Sequence, residues 1–344
     1  GTYIPVFCRR QVNDEHETSS SRSPYEADET FSPVTNSLEL EELPTSSMSV
    51  GRWKIASSRG FWVIAGCAVL LCCGMVFLLW QNAVLRSEVN PWRADPTLRA
   101  FWSEFFGSNE EVDIVTADTS LALTEDILKQ SVSLDDYLDY KYKNHVDFPG
   151  LAPETRSAVN LILGRNLGSV GDYRVAERIM KLDAYSPSLK LASARAYTPE
   201  SIKANNVILI GGPEGNPWVE LYKDRMDFYV EYDVVQQHTK IVNRTPERGE
   251  QPVYEFFAEP NRGYSIVAFL PNLSGHRNAL IILGTDSQAT LAAGEWVTSS
   301  EGLATIRQRI PNGSFPFFEV LLASTKLVGT PLKTEVKAFR IHQR

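Results

Sequence analysis

Residues 61–80 of the chain, FWVIAGCAVLLCCGMVFLLW, form an apolar run of twenty residues without a charge. With a rise of about 1.5 Å per residue, a helix of this length spans about 30 Å, the thickness of a bilayer's hydrocarbon core. Trp62 and Trp80 lie near its ends, where indole rings prefer the membrane interface. Because buried helices of soluble proteins rarely run this long without a polar face, the run predicts one transmembrane helix.

Basic residues are concentrated on the N-terminal side of this run. Arg52, Lys54 and Arg59 precede it, whereas the basic residues that follow are fewer and are offset by Glu88. Since flanks rich in Lys and Arg stay in the cytoplasm, the sequence predicts a cytoplasmic N-terminus and an extracytoplasmic C-terminal domain. The lipid bilayer is therefore the first predicted partner. Small residues inside the run would let a second helix approach, so a homodimer is a further partner that the sequence allows.

The residues before the run divide into two segments. Residues 11–50 carry nine acidic residues and one basic residue, with many Ser, Thr and Pro. Such a stretch cannot bury a core, so 11–60 is interpreted as a disordered acidic cytoplasmic linker that ends in a basic juxtamembrane segment. Residues 1–10, GTYIPVFCRR, are rich in strand formers and predict the last strand of another domain. Because the chain begins at Gly1, we expect it to be a fragment of a longer protein.

Composition and motif spacing argue against several kinds of chemistry. The net charge of -8 provides no overall basic surface for nucleic acid. No cysteine follows Cys73, so the C-terminal region has no disulfide framework or thiolate metal site. The histidines are isolated, and no HExxH, GxSxG or calcium-loop spacing occurs. We therefore predict no catalytic residue, no metal ligand and no cofactor.

Three strand-to-helix passages define the predicted fold of the C-terminal region. VDIVTADTSLALTEDILKQ predicts a strand at 112–116 and a helix at 119–130, NVILIGGPEGNPWVELYKDRM repeats the pattern, and NALIILGTDSQATLAAGEWVTS predicts a strand at 279–283 and a helix at 287–298. Continuous apolar strands that alternate with helices favour an α/β fold: a three-layer, mainly parallel sheet with helices on both faces, Rossmann-like or periplasmic-binding-protein-like.

Further segments complete this architecture. The segments FYVEYD, TKIVNR, PVYEFF and YSIVAFLPN predict antiparallel additions to the sheet, and residues 317–341 predict a closing hairpin. Helices are expected near 97–106, 153–167 and 172–182, with a short helix in SLDDYL that Ser133 caps. The predicted organisation is a domain remnant at 1–10, the linker at 11–60, the transmembrane helix at 61–80, a juxtamembrane linker at 81–96 and one extracytoplasmic α/β domain at 97–344.

The glycine-rich loop LIGGPEGNPW invites comparison with phosphate-binding loops. A Walker loop needs Gly-Lys-Ser/Thr, whereas Gly215-Asn216-Pro217 stands here, and the spacing does not match GxGxxG. The loop is better explained as a helix start, with Asn216 as N-cap and Pro217 at the first helical position. Binding of an anion or polar ligand at this helix N-terminus remains the alternative.

The loops after the three strands are expected to lie together. Parallel strands bring their carboxyl ends to one edge of a sheet, where ligands bind at a topological switch point. The three loops would form one crevice, and the alternative is that each loop only caps its helix. The predicted ligand-binding residues are Thr116, Asp118, Thr119, Ser120, Gly211, Gly212, Asn216, Gly284, Thr285 and Asp286.

Several phrases carry a resemblance to a known kind of protein. GTYIPVF resembles the final wing strand of bacterial winged-helix regulators, and FWSEFF, TADTSLAL, SLDDYL, RGYSIVAFLPNLSG and ILGTDSQATLAAGEW are similar to phrases in poorly characterised bacterial single-pass membrane proteins. Those proteins pair a winged-helix-like cytoplasmic head with an extracytoplasmic α/β domain. The resemblance covers nearly all of residues 92–344 and implies a bacterial inner (cytoplasmic) membrane. It implies DNA as a partner only if a complete winged helix lies upstream.

Three hypotheses about function follow. The leading one is a one-component transmembrane transcriptional regulator, or a truncated relative, whose outer domain senses or binds a small polar ligand. The second is a membrane-anchored extracytoplasmic enzyme that uses Asp118 or Asp286 as acid or base in the same crevice. The third is a ligand-free scaffold for a protein partner.

Overall fold

The computed structural model describes residues 58–108, 110–144, 150–255, 261–310, 315–327 and 330–342. The predictions for residues 1–10 and for most of 11–60 lie outside these ranges. Helix α1, Ser58–Val89, contains the apolar run. Its segment Gly60–Leu85 has a mean hydropathy of 2.6 and is not buried by other parts of the described chain. Among the described residues, this is the one helix long and apolar enough to cross a membrane.

The main sheet contains seven strands in the described part of the chain, in the order β10-β9-β7-β8-β3-β1-β2. Strands β8, β3, β1 and β2 pair in parallel, and β7, β9 and β10 continue the sheet in antiparallel fashion. Five of the seven strands thus run in one direction, as predicted. These strands are β1 (Val112–Thr116), β2 (Leu189–Ser193), β3 (Asn206–Ile210), β7 (Arg262–Pro271), β8 (Asn278–Gly284), β9 (Phe317–Leu327) and β10 (Thr330–His342).

Strands β4 (Phe228–Asp233), β5 (His238–Asn243) and β6 (Val253–Glu255) form a separate antiparallel sheet. The prediction that these three segments add to the main sheet was therefore wrong, whereas β7 does join it. The buried Glu319 of β9 explains the attachment, because its carboxylate accepts hydrogen bonds from the backbone N–H groups of Asp227 and Phe228 at the start of β4. The small sheet is fixed to one face of the main sheet instead of extending its edge.

Helices surround the sheet in the described part of the chain. One face packs against α3, α8, α10 and α11, and the other packs against α9, a 3₁₀ helix at Pro217–Arg225 and the small sheet. The helices are α2 (Pro91–Ala94), α3 (Pro96–Phe106), α4 (Thr119–Leu128), α5 (Leu134–Leu138), α6 (Lys141–Asn144), α7 (Pro153–Leu163), α8 (Val170–Leu182), α9 (Pro199–Ala204), α10 (Ser287–Val297) and α11 (Ser300–Arg307).

Alternation along the strands produces the two cores. In β3, Ile208 and Ile210 face the α8 and α10 side, while Val207 and Leu209 face the 3₁₀ helix and the small sheet. A smaller cluster, centred on Leu121, joins α4 to α5, α6 and α7 beside the sheet. Every residue of β3 is buried. The glycine-rich loop therefore begins between the two layers that cover the faces of the sheet.

Candidate ligand-binding cleft

The loops after β1 and β3 contact each other directly. The N–H of Asp118 donates to the carbonyl of Gly215 at 2.6 Å. The side-chain amide of the fully buried Asn216 donates to the carbonyls of Val115 and Ile210, at 3.2 and 3.0 Å. Asn216 stands at the N-cap position of the 3₁₀ helix, with Pro217 in the first turn as predicted, but its side chain makes no cap hydrogen bond. Its amide instead ties together the carboxyl ends of two neighbouring parallel strands, which leaves their terminal carbonyls satisfied.

The third loop approaches the same sheet edge through α8. The hydroxyl groups of Ser169 and Ser287 lie 3.2 Å apart, and the N–H of Ala117 donates to Asp172 at 3.4 Å. The N–H of Gly211 donates to the carbonyl of Ile282 at 3.1 Å. The three predicted loops therefore follow one another along one edge of the sheet, and the beginning of α8 lies beside the first and third of them.

Asp118 is held by several partners. It is completely buried and caps α4 by accepting from the N–H groups of Ser120 and Leu121. Arg195 donates to both carboxylate oxygens, at 2.7 and 3.0 Å, and Tyr137 donates at 3.4 Å. A bidentate Arg–carboxylate pair of this kind fixes both oxygens. This carboxylate therefore anchors the start of α4 and offers no unoccupied oxygen for acid–base chemistry.

The other predicted residues also make local structural contacts. The hydroxyl of Ser120 donates to the carbonyl of Arg165, that of Thr116 donates to Ala192, and that of Thr285 accepts from the N–H of Tyr264. Thr119 donates its N–H to Leu167, Asp286 caps α10, Gly211 has a φ of 99°, and a β-carbon on Gly284 would collide with Thr290. A role of these residues in ligand binding stays a prediction.

A cavity with a volume of about 700 Å³ lies beside the loop after β3. Its walls come from α4 and the segment after it, the loop after β3, the 3₁₀ helix and strands β4 and β5. We call it the acidic cleft. It is lined by Glu125, Ser131, Val132, Ser133, Leu134, Pro213, Glu214, Pro217, Glu220, Lys223, Val230, Glu231, Tyr232, Asp233 and Lys240.

Glu125 is the most deeply buried acid of the acidic cleft, with only 3% of the residue exposed. Its Oε1 accepts from the N–H of Val132 at 2.6 Å, and its other oxygen has no hydrogen-bond partner among the described residues. Burial, reinforced by the negative charges of Glu214 and Asp126, raises the pKa of Glu125 to about 8. At neutral pH the empty cleft thus favours the protonated form of this carboxyl.

Glu214 faces the same cleft from the loop after β3. Its carboxylate folds back over Gly212, where a β-carbon would collide with it. Its Oε2 is shielded from solvent and has no hydrogen-bond partner in the described part of the chain. Burial, together with the negative charges of Asp172 and Asp126, raises the pKa of Glu214 to about 7. Gly212 therefore serves the cleft by leaving room for this carboxyl group.

None of the ten predicted residues lines the acidic cleft, of the three predicted loops only the one after β3 contributes to its walls, and sequence reasoning missed both of these carboxyl groups. Glu214 lies between the glycines and Asn216, all of which were named for their backbone chemistry. Glu125 stands four residues after the buried Leu121, so helical spacing places it on the inward face of α4. An acidic residue on the inward face of a helix predicts a buried carboxyl group with a perturbed pKa, so the sequence did contain a signal for Glu125.

A second group of polar side chains lies where β9 and β10 meet the residue before β4. Donor atoms of Asp227, Glu319 and His342 lie within 4.8 Å of one another. Glu319 is fully buried, and its oxygens already accept from two backbone N–H groups and approach His342 Nε2 at 2.7 Å. The hydrogen bond to Glu319 raises the pKa of His342. These contacts connect the small sheet to the closing hairpin, so the group has a structural use without a metal ion.

No protein-family model matches the chain, and no curated protein matches it. The geometry and charge of the acidic cleft are therefore the guide to its function. Its volume falls in the range of about 300 to 1,000 Å³ that is typical of small-molecule sites. Its perturbed carboxyl groups are a further property typical of functional sites.

Proposed function

We propose that the C-terminal domain is a membrane-anchored, extracytoplasmic domain that binds a small polar ligand in the acidic cleft. We propose further that it is the sensory part of a one-component transmembrane transcriptional regulator or of a truncated relative. The observation that carries the binding proposal is Glu125, a carboxyl group that is 3% exposed, lines a cavity of about 700 Å³ and has an oxygen without a partner among the described residues. An unpaired buried polar group is costly unless a ligand or water completes its bonds.

The place of the cleft in the fold supports the same function. The loop after β3 leaves the sheet next to β1, and the chain connections of these strands diverge from there. Ligands of open α/β sheets bind outside the carboxyl ends of the strands at such a switch point. The small sheet supplies the opposite wall, so a ligand in the cleft would contact two structural layers. Ligand binding would change the relative stability of these layers, which is what a sensor needs.

The enzyme hypothesis receives less support. The carboxylate of Asp118 accepts hydrogen bonds from the start of α4 and from Arg195. Asp286 caps α10 with an oxygen that accepts from two backbone N–H groups at 2.8 Å. Both carboxylates named for acid–base chemistry thus have structural partners. The scaffold hypothesis, which has no ligand, does not explain why carboxyl groups are buried in the cleft.

A thermal-shift assay on the full chain in detergent micelles tests ligand binding. The panel comprises organic cations, dicarboxylates, neutral sugars and amino acids, and a bound compound raises the melting temperature because it binds only the folded state. Ser131 lies exposed at the cleft, so Ser131→Trp should fill it and remove the shift. Ser157→Trp, at an exposed position of α7 that does not line the cleft, is the matched control. If no compound shifts melting, or if Ser131→Trp leaves the shift intact, the binding proposal is wrong.

Membrane topology needs its own experiment. Alkaline phosphatase fused after Arg344 should be active in bacterial cells, because the proposal places this end outside the cytoplasm. A green fluorescent protein fused at the same residue should remain dark if secretion is through the general export pathway. An inactive phosphatase together with a fluorescent fusion would overturn the extracytoplasmic placement.

A further inference from the structure

The charge of the acidic cleft restricts its ligand. Five acidic and two basic side chains line it. Of the two lysines, Lys240 pairs with Glu231 at 3.0 Å, and Lys223 lies over the ring of Tyr229 at 5.1 Å from its centroid. The negative charges are therefore compensated only in part by the walls. Even with Glu125 and Glu214 protonated, the other three acids exceed the two lysines, so an anionic ligand would meet a net negative charge, whereas a cation would be attracted.

The hydrogen-bonding groups of the walls also favour a cationic ligand. Glu125 has one carboxylate oxygen without a partner among the described residues, and the carboxyl group of Glu214 lines the same cavity. Of the three hydroxyl groups that line the cleft, two are engaged elsewhere, since Ser133 bonds Asp136 and Tyr232 bonds Asp126. The cleft thus has acceptors that need N–H or O–H donors from outside. Ammonium and guanidinium groups supply several donors together with positive charge.

A bare metal ion fits this arrangement less well. Three ligand atoms of a divalent ion lie within about 4 to 5 Å of one another. In the described part of the chain, the one group of His, Cys, Asp and Glu side chains that meets this distance is Asp227, Glu319 and His342, outside the cleft. Among the described residues, no three carboxyl groups of the cleft meet this distance. Val132, Leu134 and Val230 line the same cavity and offer apolar surface to a short hydrocarbon stem.

We infer that the acidic cleft binds a small organic cation, in which a primary ammonium or guanidinium group donates hydrogen bonds to Glu125 and Glu214 and a short alkyl stem contacts the apolar wall. This inference rests on the proposed function, because it names the ligand class of the same cleft. The two carboxyl groups act as the specificity determinants, and the neighbouring Asp126 and Asp172 add negative potential without direct contact to the ligand.

Binding of a cation to these carboxyl groups is linked to pH. Since burial raises the pKa of Glu125 to about 8 and of Glu214 to about 7, both are largely protonated in the empty cleft at mildly acidic pH. A cation stabilises the ionised forms, so it binds with release of protons. The negative charges of Glu214, on the loop after β3, and of Asp126, on α4, act on Glu125. The other titratable groups that line the cleft are Glu220 and Lys223 on the 3₁₀ helix, Glu231, Tyr232 and Asp233 on β4, and Lys240 on β5.

Isothermal titration of the full chain in detergent micelles tests the inference. The probes are agmatine and 1,4-diaminobutane as organic cations, calcium chloride as a metal ion and succinate as an anion. The cations should bind, with affinity rising by up to about tenfold per pH unit for each proton released between pH ~5.5 and ~7. Titration in two buffers of different ionisation enthalpy measures that proton release directly.

Variants assign the binding to the two carboxyl groups. Glu125→Gln and Glu214→Gln should each weaken agmatine binding at pH 7 by about tenfold or more, because each removes a charged acceptor. Glu301→Gln, at an exposed position of α11, is the matched control and should bind normally. Glu125→Gln should also flatten the pH dependence of binding, which a general loss of folding would not do if the variant melts cooperatively.

The outcomes separate this inference from the proposed function. Binding of succinate alone, if Ser131→Trp blocks it, overturns the cation inference and leaves the ligand-binding function in place. Binding of calcium alone, with loss in Glu125→Gln and Glu214→Gln, also overturns the organic-cation inference. Cation binding that survives both Gln variants overturns the assignment to these carboxyl groups. Absence of binding for the probes and for the whole thermal-shift panel overturns both proposals.

Discussion

Replacement of Glu125 by Gln should stabilise the protein at alkaline pH. Glu125 is 3% exposed, and its pKa is raised from its usual 4.5 to about 8. Below pH ~4.5 the carboxyl is neutral in both the folded and the unfolded chain, so it does not favour either state. As pH rises through this interval, the unfolded chain ionises first, and the free energy of unfolding falls until the folded state ionises near pH 8. Gln keeps an acceptor for the Val132 N–H and cannot ionise.

The magnitude follows from the width of that interval. The difference between about 8 and 4.5 corresponds to a stability loss on the order of 5 kcal/mol in the wild-type chain, at about 1.4 kcal/mol per pH unit. Glu125→Gln should therefore resemble the wild type near pH 5. It should have a larger free energy of unfolding near pH 8.5, by several kcal/mol.

Urea unfolding of the full chain in dodecyl maltoside, followed by tryptophan fluorescence, provides the assay. Free energies of unfolding would be compared at pH values from about 5 to 8.5 by linear extrapolation. Glu301→Gln removes an exposed acid outside the cleft and should leave the pH dependence of wild type unchanged. Parallel curves for wild type and Glu125→Gln across this range would refute the reasoning, because they would mean that Glu125 ionises in the folded cleft as readily as in the unfolded chain.

Two further substitutions test the framework that positions the cleft, each by urea unfolding of the full chain. Arg195→Met leaves the fully buried Asp118 without its cation and should cost about 3 to 5 kcal/mol; a loss below 1 kcal/mol would contradict a buried pair. Gly211→Ala should cost about 1 to 3 kcal/mol more than Gly249→Ala. Both glycines have positive φ, 99° and 94°, but only at Gly211 does a β-carbon meet another atom, at 2.7 Å; equal losses would contradict the contact.

The parallel half of the sheet could be predicted because its strands carry the strongest local signal. Strands β1 and β3 are buried at every position, and such strands read as continuous apolar runs flanked by helix starts. Strand β2 was missed for the opposite reason. It lies at the sheet edge, where Leu191 is 49% exposed and Lys190 pairs with Glu111. An exposed edge strand of this kind leaves little hydrophobic pattern in the sequence.

The small sheet and the cleft depend on contacts that no local pattern contains. Strands β4 and β5 have the alternation of any half-buried strand, and the start of β4 is held on the main sheet by Glu319, which is distant in sequence. Asparagine is a favoured N-cap residue, yet the side-chain amide of Asn216 donates to the carbonyls of two strands. The loops of the predicted crevice do meet along one edge, as parallel strands require. The position of the cavity was not predictable, because the small sheet forms one of its walls.

Hydrogen–deuterium exchange of the full chain in detergent, with and without agmatine at pH 7.5, tests most directly whether the acidic cleft is a ligand site. Amides in residues 125–134, 211–217 and 230–233, which belong to the walls of the cleft, should exchange more slowly when the cation is bound. Residues of α11 and of β10 serve as internal controls and should be unaffected. Unchanged exchange at saturating agmatine, or protection confined to segments outside the cleft walls, would contradict the account.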